Sequence, residues 1–183
     1  MKFEKTAISG VLIGQAEKIA DSRGSFLRFF CNDSYREATG HDMPLSQMNK
    51  SLTTARGSLR GLHFQREPAL EAKVIRCTKG RVFDVAVDLR ENSPTYLKHV
   101  SIELYEDGPV FVIPAGCAHG FQTLTDDAEM LYLHSAPWSK AHEGGLLYND
   151  PALQISWPLP VTVISDRDRG FLPLDATFRG IAA

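Results

Sequence analysis

The sequence predicts an all-β chain, a sandwich or barrel of short strands for which a jelly roll is a natural arrangement. Apolar residues recur with period two along many short runs, and turn-forming residues separate those runs. Helical patterning is scarce: only "CNDSYREATG" and the "PWSKAHEGG" stretch have room for a helical turn.

The N-terminal "MKFEKTAISGVLIG" is broken by charge and glycine, so it reads neither as a signal peptide nor as a membrane span. β-like runs follow at "SFLRFF", "QMNKSLT", "KVIRCT", "PVFVI", "GFQTLT" and "AEMLYLH". In "RVFDVAVDL", Phe83, Val85, Val87 and Leu89 share one face, and Val82, Asp84, Ala86 and Asp88 the other. In "KHVSIEL", Val100, Ile102 and Leu104 alternate with His99, Ser101 and Glu103. Both read as strands with one buried face. Turns are expected at Lys79-Gly80, Asn92-Ser93-Pro94, Asp107-Gly108-Pro109 and Asp126-Asp127. The Pro- and Asp-rich C-terminal third reads as a loop-dominated wrap. No repeat or linker divides the chain, so residues 1–183 are expected to form one domain.

Composition narrows the partners. The 183 residues are 43% hydrophobic and 23% charged, which is ordinary for a globular protein. A net charge of -2 gives no bulk field for nucleic acid or an anionic membrane, so any anion must be held by a local basic cluster. Cys31, Cys77 and Cys117 are odd in number and lack a C-x-x-C pattern, which fits reduced thiols in a cytoplasmic protein.

Strand alternation also sorts the chemistry. His63 shares a face with Gly61 and Gln65, Lys73 with Ile75 and Cys77, Tyr132 with Met130 and His134, and His119 with Phe121. Inside a jelly roll, His63, Lys73, His119, Tyr132 and His134 would line one pocket. So many ionisable groups cost too much for a plain core. Two readings compete. Gly108 to His119 has the spacing G-x5-P-x-G-x2-H, similar to the second signature of cupin metal sites. The first signature is incomplete, because Gln65 stands where a second histidine belongs and Glu71 lies too far along. Glutamine is a poor transition-metal ligand beside imidazole, although His134 offers a third ring. The other reading is proton transfer beside a ketone, with a histidine base, a tyrosine acid and a lysine for the enolate. Asp166 or Asp168 in "SDRDRG" could orient the base, and spacing does not choose between them.

Taken in order, the motifs resemble one family over nearly the whole chain. "DSRGSF", "QMNKS", "LRGLHFQ", "VFDVAVDLRENSPTY", "IPAGCAHGF", "NDPALQISWP" and "SDRDR" are similar to the dTDP-4-dehydrorhamnose 3,5-epimerases, nucleotide-sugar epimerases of the metal-independent cupin jelly rolls. The resemblance implies a cytoplasmic, cofactor-free homodimer acting on a nucleotide-diphosphate 4-keto-6-deoxy sugar. It makes His63 the base, Asp168 its orienting carboxylate, Tyr132 the acid and Lys73 a further catalytic residue. Arg23, Gln47, Asn49 and Arg60 match positions that contact the nucleotide or its diphosphate, a task suited to guanidinium. His119 matches a histidine of the same pocket. The chain departs from the family at Arg28, where glutamate is usual near the nucleotide end, and Arg28 is expected to touch substrate. Leu133 replaces the usual lysine, and Pro137-Trp138 replaces a tyrosine pair, leaving Trp138 to stack on sugar or base. The alternatives are a C3-only epimerase on another nucleotide sugar, or a metal-binding cupin, either dioxygenase-like or a sugar-binding module.

Overall fold

The structure is a computed structural model that describes residues 1–175 and 177–183. The chain opens with strands β1 (Lys2–Lys5), β2 (Leu12–Gln15), β3 (Lys18–Asp21) and β4 (Gly24–Leu27), followed by helix α1 (Asn32–Thr39). It continues through β5 (Gln47–Thr53), β6 (Leu59–Gln65), β7 (Lys73–Lys79), β8 (Arg81–Asp88) and β9 (His99–Tyr105). The last strands are β10 (Val110–Ile113), β11 (Cys117–Thr123), β12 (Ala128–His134) and β13 (Glu143–Gly145), and a short helix, α2 (Asp166–Arg169), follows.

Two antiparallel sheets face each other. One is six-stranded in the order β1-β2-β10-β7-β12-β5, and the other five-stranded in the order β13-β6-β11-β8-β9. Sequence neighbours are repeatedly separated in space, as a jelly roll requires. Ile75, Cys77, Phe111, Ile113 and Met130 of the first sheet pack against Val82, Ala86, Leu104 and Phe121 of the second. Each buried Val, Leu, Ile, Phe or Met among them contributes about 1.5–3 kcal/mol.

Two further layers close the outer faces. Helix α1 supplies Tyr35 to a cluster with Leu12, Val74, Val110 and Val112 on the back of the six-stranded sheet. The C-terminal wrap, irregular apart from α2, lays Leu146, Leu153, Trp157, Phe178 and Ile181 over Leu62, Phe64, Val85 and Val87. This corrects the expectation for β8, which is buried on both faces. Asp84 and Asp88 are 0% exposed. Period two reports two different surfaces, and both can be covered when a third layer arrives from far along the chain.

Asp88 is tied down by its own loop. One carboxylate oxygen accepts from Arg90 Nε at 2.8 Å, and the other from Ser93 Oγ and Thr95 Oγ1, both at 2.6 Å. Arg76, facing away from the sandwich interior as alternation predicts, donates to the Gly108 carbonyl at 2.8 Å and to the Arg28 carbonyl at 3.1 Å.

The β3–β4 hairpin forms a separate two-stranded sheet. Ile19 and Phe26 on it are 61% and 65% exposed. A two-stranded ribbon with uncovered apolar side chains is marginal by itself.

Candidate active site

A cavity of about 780 Å³ opens between the two sheets. Strand β6 places His63 there from the five-stranded sheet, where it lies opposite His119 of β11 in register. From the six-stranded sheet, β12 and β7 place Tyr132 across from Ile75, and His134 across from Lys73. The side chains expected to share one pocket do share it: His63, Lys73, His119, Tyr132 and His134 all line the cavity, with Asn49, Arg60, Trp138 and Asp168.

His63 Nε2 lies 2.7 Å from Asp168 Oδ1, and Asp168 Oδ2 accepts from the Gly61 amide at 3.1 Å. Ser165 caps α2 by accepting from the Asp168 amide at 3.0 Å, which sets that aspartate on the first turn. Asp168 is therefore the residue the cap positions, and Asp166 does not pair with His63. Burial pushes the Asp168 carboxyl up, but His63 and the Gly61 amide more than offset it and leave it below the ordinary value. An ionised Asp168 can only accept, so the shared proton sits on His63 Nε2 and the Nδ1 lone pair is left free to act as a base. The Phe171 ring meets His63 edge-on at 6.2 Å and backs the imidazole.

Tyr132 stands on the opposite sheet. Its hydroxyl bonds Ser51 Oγ at 3.0 Å, and its ring stacks on His134 at 6.1 Å. Burial holds the phenol well above its usual range, so it keeps its proton at physiological pH and can serve as a proton source. Lys73 is 7% exposed and pairs with Glu71 at 3.0 Å. It is not a solvated strand lysine.

Each of three imidazoles takes its own carboxylate. His119 pairs with Asp84 at 2.8 Å, and His134 with Glu71 at 2.7 Å. Burial pushes Asp84 up against the pull of His119, and its second oxygen has no hydrogen-bond partner among the described residues. Gln65 is engaged elsewhere: its Nε2 donates to the Ala69 and Pro137 carbonyls at 2.9 and 3.2 Å, and its Oε1 accepts from the Ser139 amide at 2.5 Å. It anchors the loop that carries Trp138 and is turned to backbone. Among the described residues no group of three His, Cys, Asp or Glu side chains is arranged to hold a metal ion.

The basic groups divide. Arg60 lines the cavity, steadied by Thr53 Oγ1 at 2.9 Å. Arg167 lines it too, beside Glu143 at 2.9 Å. Arg23 does not: it sits on the β3–β4 turn, 87% exposed, paired with Asp21. Arg28 is exposed beyond the end of β4 and also lies outside the cavity lining. Both were expected to touch nucleotide or substrate, and within one chain both stand apart from the cavity, because the β3–β4 hairpin pairs with neither main sheet. Gln47 stays at the rim, accepting from the Trp138 amide at 3.1 Å, while Trp138 Nε1 donates to Glu143 at 2.8 Å. Ser51, Asp84, Glu143 and Arg167 were assigned no role from sequence, and Glu71 was weighed only as a metal ligand. Of these, Asp84 carried a signal, as an acid sharing a face of β8 with Val82 and Ala86.

The profile of the dTDP-4-dehydrorhamnose 3,5-epimerase family matches residues 5–176. A protein of that name from Sinorhizobium fredii is 45% identical over 170 residues, covering 92% of this chain and 87% of that one. Among solved structures, a 4-keto-6-deoxy sugar epimerase from the novobiocin gene cluster of Streptomyces spheroides superposes with a TM-score of 0.90 at 37% identity, covering 94% of this chain and 87% of that chain. A dTDP-6-deoxy-D-glucose-3,5-epimerase from Legionella pneumophila, solved with dTDP-4-keto-L-rhamnose, superposes with a TM-score of 0.90 at 33% identity, covering 100% of this chain and 98% of that chain.

Proposed function

The chain belongs to the dTDP-4-dehydrorhamnose 3,5-epimerase family, and from that membership we propose how its cavity works. The substrate is a nucleotide-diphosphate 4-keto-6-deoxy sugar, with the sugar between the two sheets and the diphosphate at Arg60 and Arg167. His63 Nδ1 removes the proton α to the C4 ketone, and Asp168 stabilises the imidazolium that forms. The ammonium of Lys73 stabilises the enolate oxygen, and Tyr132 returns a proton from the other side of the ring. One observation carries this reading: a His–Asp base on one sheet faces a partly buried, protonated tyrosine on the other. Epimerisation needs a proton removed from one face and delivered to the opposite one, and that placement suits it.

The exposed hairpin supports a homodimer. A second copy covering Ile19 and Phe26, together with Met48 on the edge strand β5 at 62% exposure, would bury apolar surface and bring Arg23 and Arg28 to an interface. The three free cysteines fit work in the cytoplasm.

The test is incubation in deuterium oxide with the dTDP, UDP, GDP and CDP forms of 4-keto-6-deoxyglucose. Deuterium entering C3, or C3 and C5, of one or more of them is expected, and the labelled positions report which centres invert. Absence of exchange with all four would sink the proposal.

A further inference from the structure

Lys73 is a cation that the fold has removed from water, and such a group needs a counter-charge placed with it. Glu71 provides one. Its side chain is 8% exposed, with Oε1 3.0 Å from Lys73 Nζ and Oε2 2.7 Å from His134 Nδ1. His134 Nε2 in turn lies 3.2 Å from the Asn49 amide nitrogen. The donors and acceptors order themselves. The Asn49 amide nitrogen can only donate, so Nε2 accepts; Nδ1 then carries the hydrogen and gives it to Glu71. The carboxylate is held from both sides, by a neutral imidazole and by the ammonium.

The backbone fixes the same arrangement. Glu71 precedes β7, yet its neighbour Ala72 extends the ladder to Ser135: the Ala72 amide donates to Ser135 Oγ at 2.7 Å, and the Ser135 amide donates to the Ala72 carbonyl at 3.0 Å. His134 and Lys73 face each other in register across β12 and β7. Three side chains from two clamped segments thus converge on one point of the cavity wall.

We propose that Glu71 is a positioning residue for Lys73, itself oriented by His134, and that it fixes where the ammonium meets the developing enolate. The inference rests on the role given to Lys73 in the proposed function. Burial pushes the Glu71 carboxyl up, but His134 and Lys73 together bring it below its ordinary value, so it remains an anion that can hold the lysine. Without that anion the flexible four-carbon stem of Lys73 has other rotamers open to it, and small displacements of a charge-stabilising group are costly to a rate.

The test is a double-mutant comparison read by C3 deuterium exchange. Glu71→Gln keeps the shape and removes the charge. It is expected to lower kcat about 10- to 100-fold while KM changes less than about threefold. In a Lys73→Met background the same Glu71→Gln change is expected to alter the residual rate less than about threefold, because a residue acting through Lys73 has nothing left to act through. His134→Gln provides a second route: a smaller fall of about three- to tenfold, likewise silent in Lys73→Met. Equal effects of Glu71→Gln in both backgrounds, or an unchanged kcat in the single variant, overturn the inference and leave the epimerase reading intact. A wild-type protein that exchanges no nucleotide sugar overturns both.

Discussion

Replacing Asp168 by asparagine tests the base directly. The wild-type carboxylate is 4% exposed and lies 2.7 Å from His63 Nε2. When His63 takes a substrate proton, it becomes an imidazolium beside that carboxylate. Opposite charges about 4 Å apart in an effective dielectric of about 20 attract by about 4 kcal/mol. The His63 side chain is 35% exposed, so water takes part of this and about 3 kcal/mol remains as a working figure. At about 1.36 kcal/mol per decade, that is roughly a hundredfold in rate. An asparagine amide can also donate to Nε2, which moves the imidazole hydrogen to Nδ1 and removes the base lone pair. The comparable change in a serine protease costs about 10⁴. We therefore expect kcat for C3 exchange in Asp168→Asn to fall by about 10² to 10⁴, measured by NMR in deuterium oxide with KM determined alongside. The variant also weakens the bond to the Gly61 amide at 3.1 Å, which lowers stability by about 1 kcal/mol and is followed by thermal melting. A folded Asp168→Asn protein that loses less than about tenfold in exchange would refute the assignment of His63 and Asp168 as one unit.

Tyr132→Phe is expected to separate two steps: deuterium exchange at C3 stays within about tenfold, while formation of the inverted product falls by about 10² or more; parallel losses would count against Tyr132 as the returning acid. Asp88→Asn is expected to lower stability at pH 7 by about 2 kcal/mol in denaturant titrations. Burial raises the Asp88 carboxyl, but Arg90, Ser93 and Thr95 bring it down to about 2, so its stabilisation is complete above about pH 4 and disappears as pH falls toward 2. The variant should show a flatter acid limb, and an unchanged limb would deny Asp88 that role. Gly61→Ala is expected to cost about 3 kcal/mol or more, because its φ is +125° and a Cβ there would lie 2.5 Å from the Gly120 Cα. Gly24→Ala, at φ +131° with open space around it, should cost clearly less, and equal melting shifts would show that backbone strain rather than contact dominates.

The strands and the shared pocket were legible in the sequence because alternation is a local signal. Lys73, Tyr132 and His134 declare their common face through neighbours two positions away. What alternation does not carry is what arrives from elsewhere. Asp84 and Asp88 share the sandwich-facing side of β8 with Val82 and Ala86, while its more apolar face, Phe83, Val85, Val87 and Leu89, is covered by a wrap that begins after β13. Glu71 sits in a loop, where no period applies, and its partner His134 lies far along the chain. Asp168 was chosen over Asp166 only by resemblance, although Ser165 standing before the two aspartates is itself a helix-start signal. Arg23, from a motif match, and Arg28, from its position, were expected to touch nucleotide or substrate, yet neither lines the cavity of its own chain, since a local motif does not say how its segment packs.

Gln65 limits how this scaffold can be redesigned. It clasps the backbone at Pro137 and Ser139, and so holds in place the segment that presents Trp138 at the cavity mouth. A histidine at this position would supply the second imidazole of the first cupin signature but would release that clasp. The aromatic rim and the metal therefore compete for one residue, and a designer who wants iron here must first find another anchor for the tryptophan loop.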